Sequence, residues 1–252
     1  MSFQETVILG SIAGLTIFLG LPLARVRVVA PRYHAFLNAL AIGILLFLFV
    51  DIVEHAIEPV ETAIKSDPSS LAALVALLVG GFGIGLLSLV YYMRRVSLGP
   101  GFTAMHLAVV IATGIGLHNF SEGLAIGQAA TSGELTLAVL LIVGFALHNT
   151  TEGFGIVGPL AATGVRASWG WLGLAGLIGG GPTLLGTIVG TSFTSSYLYV
   201  GCLALAGGAL LYVIGELLPL GRRLSWEVTL WGLLAGFLLG VATELVLAVA
   251  GG

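Results

Sequence analysis

His118, Asn119 and Glu122 recur thirty residues later as His148, Asn149 and Glu152, in the strings HNFSEG at 118–123 and HNTTEG at 148–153. Imidazole nitrogens and carboxylate oxygens at this density can ligate a divalent transition metal: imidazole suits zinc, copper, iron or nickel, and carboxylate widens the range. On a helix turning about 100° per residue, His118 and Glu122 project within about 40° of each other, with Asn119 about 100° from His118. The second copy repeats that geometry. Both copies are embedded in apolar stretches, where an ionisable side chain costs about 2.5–3.5 kcal/mol even on lenient scales. Two ionised glutamates bring a charge of about −2, which one divalent cation would cancel, so occupancy would offset the cost of burial. A lone His–Glu pair can be a structural contact between helices. Two matched copies, each with its Asn, are not accounted for in that way.

The elements that must position these residues are membrane spans. The 252 residues are 58% hydrophobic and 8% charged, with a mean hydropathy of +1.10, against about 25% charged residues in ordinary soluble domains. Eight apolar runs, each long enough for a hydrocarbon core of about 30 Å, lie near 5–24, 33–56, 70–93, 102–129, 134–160, 168–191, 196–220 and 226–250. The expectation is an all-α integral membrane protein, one transmembrane domain over 1–252, with the lipid bilayer as its surroundings and no nucleic-acid partner. The first run lacks a basic flank and a small-residue cleavage site and reads as a retained helix. Cys202, the single cysteine, excludes an intrachain disulfide and a multi-thiolate metal site.

Charge sets the orientation. Arg25, Arg27 and Arg32 follow the first span, Arg94 and Arg95 the third, Arg166 the fifth, and Arg222 and Arg223 the seventh. Lys65, among Glu58, Glu61 and Asp67, is the only basic residue on the other side. By the positive-inside rule the odd loops are cytoplasmic, and eight spans then leave both termini extracytoplasmic. The fourth span runs outward and the fifth returns, so the two motif copies meet at similar depth. Gly123 and Gly153, one residue after each Glu, keep bulk away where helices approach.

GIGLHNFSEGLAIG at 114–127 and FALHNTTEGFGIVGPL at 145–160 resemble the fourth and fifth helices of the ZIP (Zrt/Irt-like) divalent metal transporters, of prokaryotic type; the eight spans and LYVIGELLP at 211–219 fit as well. The resemblance implies a 3+2+3 helix bundle, a homodimer in the plasma membrane, and no resident cofactor. Its cargo would be Zn(2+), with Fe(2+), Mn(2+) or Cd(2+) as variants, moved toward the cytoplasm. It further implies that spans one, four, five and six carry the metal and move against two, three, seven and eight. His118, Glu122, His148 and Glu152 are then the primary ligands, with Asn119 and Asn149 at a neighbouring second site. Many members have Pro within both motifs where this chain has Ser121 and Thr151, whose hydroxyls can bond a carbonyl of the preceding turn. Many also have a Glu before a Pro in the sixth span, where this chain has Gly181 before Pro182. Without that carboxylate a single metal is expected.

Asp51, Glu54, His55 and Glu58 share one face late in the second span, within about 100° of helix surface. Asp51 and His55, the deeper pair, are candidates for an outer entrance, and loosely resemble an acid and a His of some relatives. Glu54 is either part of it or a solvated helix end, which is the reading for Glu58. His106 opens the fourth span about 18 Å before His118; it is a candidate exit residue or an interfacial histidine. The rival function is an intramembrane zinc metalloenzyme, a hydrolase with an open water position, but neither copy has the HExxH pattern. A metal-sensing receptor would need a soluble output domain, for which almost no residues remain.

Overall fold

Each apolar run folds as a helix, the form that satisfies backbone hydrogen bonds within a segment where no water can. The computed structural model describes residues 1–25, 31–66, 68–97, 104–131, 135–193 and 195–251, apart from the side chains of 31, 34, 96, 97, 135–138, 140, 141, 147, 148, 162, 220, 221, 223, 224 and 246–251. Arg27, Asp67 and the side chains of His148 and Arg223 therefore lie outside the described residues. The elements are α1 (Phe3–Leu15), α2 (Ile17–Gly20), a 3-10 turn (Leu21–Arg25), α3 (Pro31–Ser66), α4 (Pro68–Ser97), α5 (Ala104–Thr131), α6 (Leu135–Thr163), α7 (Trp169–Gly190), α8 (Ser196–Leu224) and α9 (Trp226–Gly251). Among the described residues, seven helical stretches are long and apolar enough to cross a membrane. The protein is an all-α, multi-pass membrane protein.

Two elements depart from the hydropathy reading. The first span is interrupted at Thr16, whose hydroxyl turns back to Ala13 O at 2.6 Å. The second continues well past residue 56, through Pro59, to Ser66. Pro59 removes one helical hydrogen bond, but Val60 and Ala63 beyond it are buried against Leu74 and Val200, and that packing holds the extra turns. Elsewhere local chemistry marks the boundaries. Ser168 Oγ accepts from Trp171 N at the start of α7. Gly164, at φ 71°, ends α6 in the left-handed turn that glycine adopts without a Cβ clash.

The helices pack as two sets: α1, α2, α5, α6 and α7 with one another, and α3, α4, α8 and α9 with one another. The sets meet where α5 lies on α8 and where α6 lies on α3 and α9. The span in α5 is 72% buried and that in α4 11%, so the first motif copy sits on the innermost helix and α4 on the periphery. Within the first set backbones touch: a Cβ at Gly123 would run into Thr183 O, at Gly186 into Phe120 O, and at Gly190 into Leu124 O. Such Cα–H to carbonyl contacts are open only to small residues, and they hold helices together where lipid offers no hydrophobic drive.

Candidate metal centre

Of the motif residues on α5 and α6, Asn119, Asn149 and Glu152 bond within the first set of helices. His118 is 3% exposed, Glu122 5%, and Asn119, Asn149 and Glu152 0%. In the first copy, the i, i+4 spacing places His118 Nε2 3.2 Å from Glu122 Oε1. Asn119, to one side of that pair, reaches across to the second copy: its Nδ2 donates to Asn149 Oδ1 at 2.6 Å and to Glu152 Oε2 at 2.8 Å. It lies also 3.0 Å from Gly179 O on α7. The second copy turns toward the first span. Asn149 Nδ2 donates to Ala13 O at 3.1 Å and Thr150 Oγ1 to Thr16 O at 3.3 Å, so both residues grip the place where α1 gives way to α2.

Asn119, Asn149 and Glu152 are thus brought together, and His118 with Glu122. Among the described residues, no three or more His, Cys, Asp or Glu side chains are gathered closely enough to hold a metal ion. The two glycines do admit close approach, but to flanking helices rather than to each other: Gly123 meets α7, and Gly153 meets Ile17 O and Gly20. The motif hydroxyls also behave unequally. Ser121 Oγ is 3.5 Å from Leu117 O, a weak contact, and Thr150 Oγ1 bonds the preceding turn at 3.0 Å from Ala146 O. Both α5 and α6 run through their motif copies as continuous helices.

The acidic stripe on α3 lies toward one end of the molecule. Glu54, His55, Ile57, Glu58 and Glu61 line a cavity of about 520 Å³. His55 Nδ1 is 2.9 Å from Asp51 O and 3.4 Å from its Oδ1. Both are acceptors, so Nδ1 carries a proton and donates toward Asp51. Asp51 and His55 lie within electrostatic range of His118 and Glu122. Glu244 on α9 belongs to the same neighbourhood, acting on both His55 and Glu122. The packing of α9 on α3 brings Glu244 into that neighbourhood. His106 is exposed at the other end, near the start of α5, and is not brought to the motif residues.

A family model described as ZIP Zinc transporter matches residues 97–248, which takes in both motif copies and α5 to α8 entire. The chain belongs to the ZIP zinc transporter family. No curated protein matches it. ZIP members transport zinc and other divalent metals across membranes and are not enzymes, so the chain is a metal transporter and the hydrolase reading is without support.

Proposed function

We propose that this ZIP protein carries a divalent metal ion, zinc first among candidates, toward the cytoplasm through a site formed by His118, Glu122, His148 and Glu152, with Asn119 and Asn149 beside it. The observation that carries this reading is the buried hydrogen bond from Asn119 to Glu152, 2.8 Å long, which ties the two motif copies together across α5 and α6. Two imidazoles and two carboxylates suit zinc or iron(II), with manganese and cadmium as alternatives. Metal would be collected at the outer mouth by Asp51, Glu54 and His55 and leave past His106. The placement of Asp51 and His55 within range of His118 and Glu122 supports that path.

Eight crossings with both termini outside follow if α6, 29 residues long, spans as its neighbours do. On that topology the arginine-bearing helix ends face the cytoplasm of a plasma membrane, and the ZIP resemblance adds a homodimer. Alternating access would come from one helix set moving against the other. The contacts support this division. Hydrogen bonds such as Asn38 Nδ2 to Leu217 O and Arg25 Nη1 to Ala167 O stay within a set. Across the boundary, a Cβ at Gly155 would meet the Leu45 side chain at 3.3 Å, and one at Gly114 the Ala209 methyl at 3.3 Å. Those are side-chain surfaces, which slide more easily than interlocked backbones. Flux of a panel of divalent metals into proteoliposomes tests the proposal: zinc uptake abolished by Glu152→Ala is the expected result, and uptake unchanged by that substitution would sink it.

A further inference from the structure

Three oxygens converge on one nitrogen between the two motif copies. Asn119 Nδ2 faces Asn149 Oδ1, Glu152 Oε2 and Gly179 O, at 2.6, 2.8 and 3.0 Å. A primary amide has two N–H groups, so three acceptors outnumber its donors and one hydrogen must be shared. Turning the amide over would set its own oxygen against three others, which fixes Nδ2 at the centre. Asn119, Asn149 and Glu152 are fully buried. Two neutral oxygens and one carboxylate around a single dry point form a cage suited to a hard cation. In this chain the polar hydrogens of an amide stand at that point.

The surroundings favour the amide over an ion. Glu152 is the cage's single carboxylate, so a second divalent ion next to a first would be poorly compensated in charge, whereas an amide needs no compensation. α7 contributes a backbone carbonyl and no acid: Gly179 and Gly181 have no side chain, and a Cβ at Gly181 would meet nothing within 4 Å. The carbonyl of Gly179 comes close because α7 lies backbone to backbone on α5 through Gly123 and Gly186.

We propose that the Asn119 amide occupies, and so closes, the ion position beside the primary metal site. The transporter then handles one metal at a time, and Asn119 is a positioning residue that holds Oε2 of Glu152. The proposal rests on the four-ligand reading of the primary site. Asn119→Asp keeps the shape of the side chain but puts an oxygen and a negative charge where Nδ2 was, which turns the plug into a fourth cage ligand.

The test is metal stoichiometry and affinity of the purified full-length chain, titrated with zinc alone and read by elemental analysis. Wild type is expected to bind one zinc per chain and Asn119→Asp two. Two zinc ions on wild type would overturn the proposal, as would one on a monodisperse Asn119→Asp. Zero on wild type with one on Asn119→Asp would support the plug and reject the primary site, so the two readings fail separately. Asn119→Ala tests the positioning role without adding charge: it is expected to bind zinc about 10- to 100-fold more weakly, the usual cost of losing the partner that orients a ligand. Unchanged affinity in that variant would refute the role, whether or not Asn119→Asp folds.

Discussion

The first motif copy, on α5, and the second, on α6, have the same His, Asn, Glu and Gly in the same order, and the fold gives them different company. In the first, Asn119 spends its amide on the second copy. In the second, Glu152 receives that amide while Asn149 and Thr150 turn away to hold the interrupted first span. The cause lies in the flanking helices. α5 has α7 at its back, whose glycines allow backbone contact. α6 has α1 and α2, where Thr16 breaks the helix and leaves carbonyls to be bonded. Helical spacing decides which residues share a face, but the neighbour on that face decides what each one does.

If the copies are unequal, matching substitutions should have unequal effects. The largest difference is expected between Glu152→Ala and Glu122→Ala in reconstituted zinc flux. Glu152 is both a proposed ligand and the acceptor for Asn119, so its loss should lower flux by more than about 100-fold, since losing an orienting partner alone costs about 10- to 100-fold. Glu122→Ala should be severe but milder, and identical losses would argue that the copies are equivalent. Next come the glycines. Gly123→Ala and Gly153→Ala each drive a methyl into a backbone carbonyl, which should lower stability by about 1–3 kcal/mol, read as thermal melting in detergent. Gly181→Ala, with open space around its Cβ, serves as the control and should stay within about 0.5 kcal/mol of wild type. Equal melting of Gly123→Ala and Gly181→Ala would contradict the close approach of α5 and α7.

A smaller effect is expected from pH. Only deprotonated imidazole and carboxylate coordinate metal, so protons compete for His118, His148 and both glutamates, and binding must weaken as pH falls. Between about pH 7.5 and pH 5 zinc affinity should drop by at least about tenfold, because protons become more than about 100-fold more concentrated over that interval and compete for every ligand of the site. Calorimetric titration at the two values checks it, and equal affinities would count against histidine ligation.

These asymmetries were only partly legible in the sequence. Hydropathy located the helices from α4 to α9 to within a few residues, because a bilayer imposes one length and one polarity on every crossing. It missed the ten residues beyond 56 on α3, since Pro59 and a polar tail look like a loop until Val60 and Ala63 are seen to pack on Leu74 and Val200. It missed the break at Thr16, which has no proline or charge to announce it. The i, i+4 pairing of His118 with Glu122 follows from helix geometry alone. That Asn119 would reach α6 and α7, and Asn149 α1, depends on which helices are neighbours, and spacing along one helix does not encode that.

The weakest expected effect concerns the approach to the first copy. Asp51 and His55 both act on His118 and Glu122, whereas Glu152 feels Asp51 and, from α5, Glu122. An ion held at Asp51 therefore lies within the field of both copies. Negative charge at a mouth raises the local cation concentration without changing the transport step. Asp51→Ala combined with His55→Ala should raise the zinc concentration for half-maximal uptake by about tenfold at most, the low end of such focusing, and leave the maximal rate unchanged. The difference should shrink at about 1 M salt, where the Debye length falls to about 3 Å. A lower maximal rate would instead place Asp51 and His55 among the residues that move with the metal, and uptake kinetics equal to wild type would remove α3 from the path.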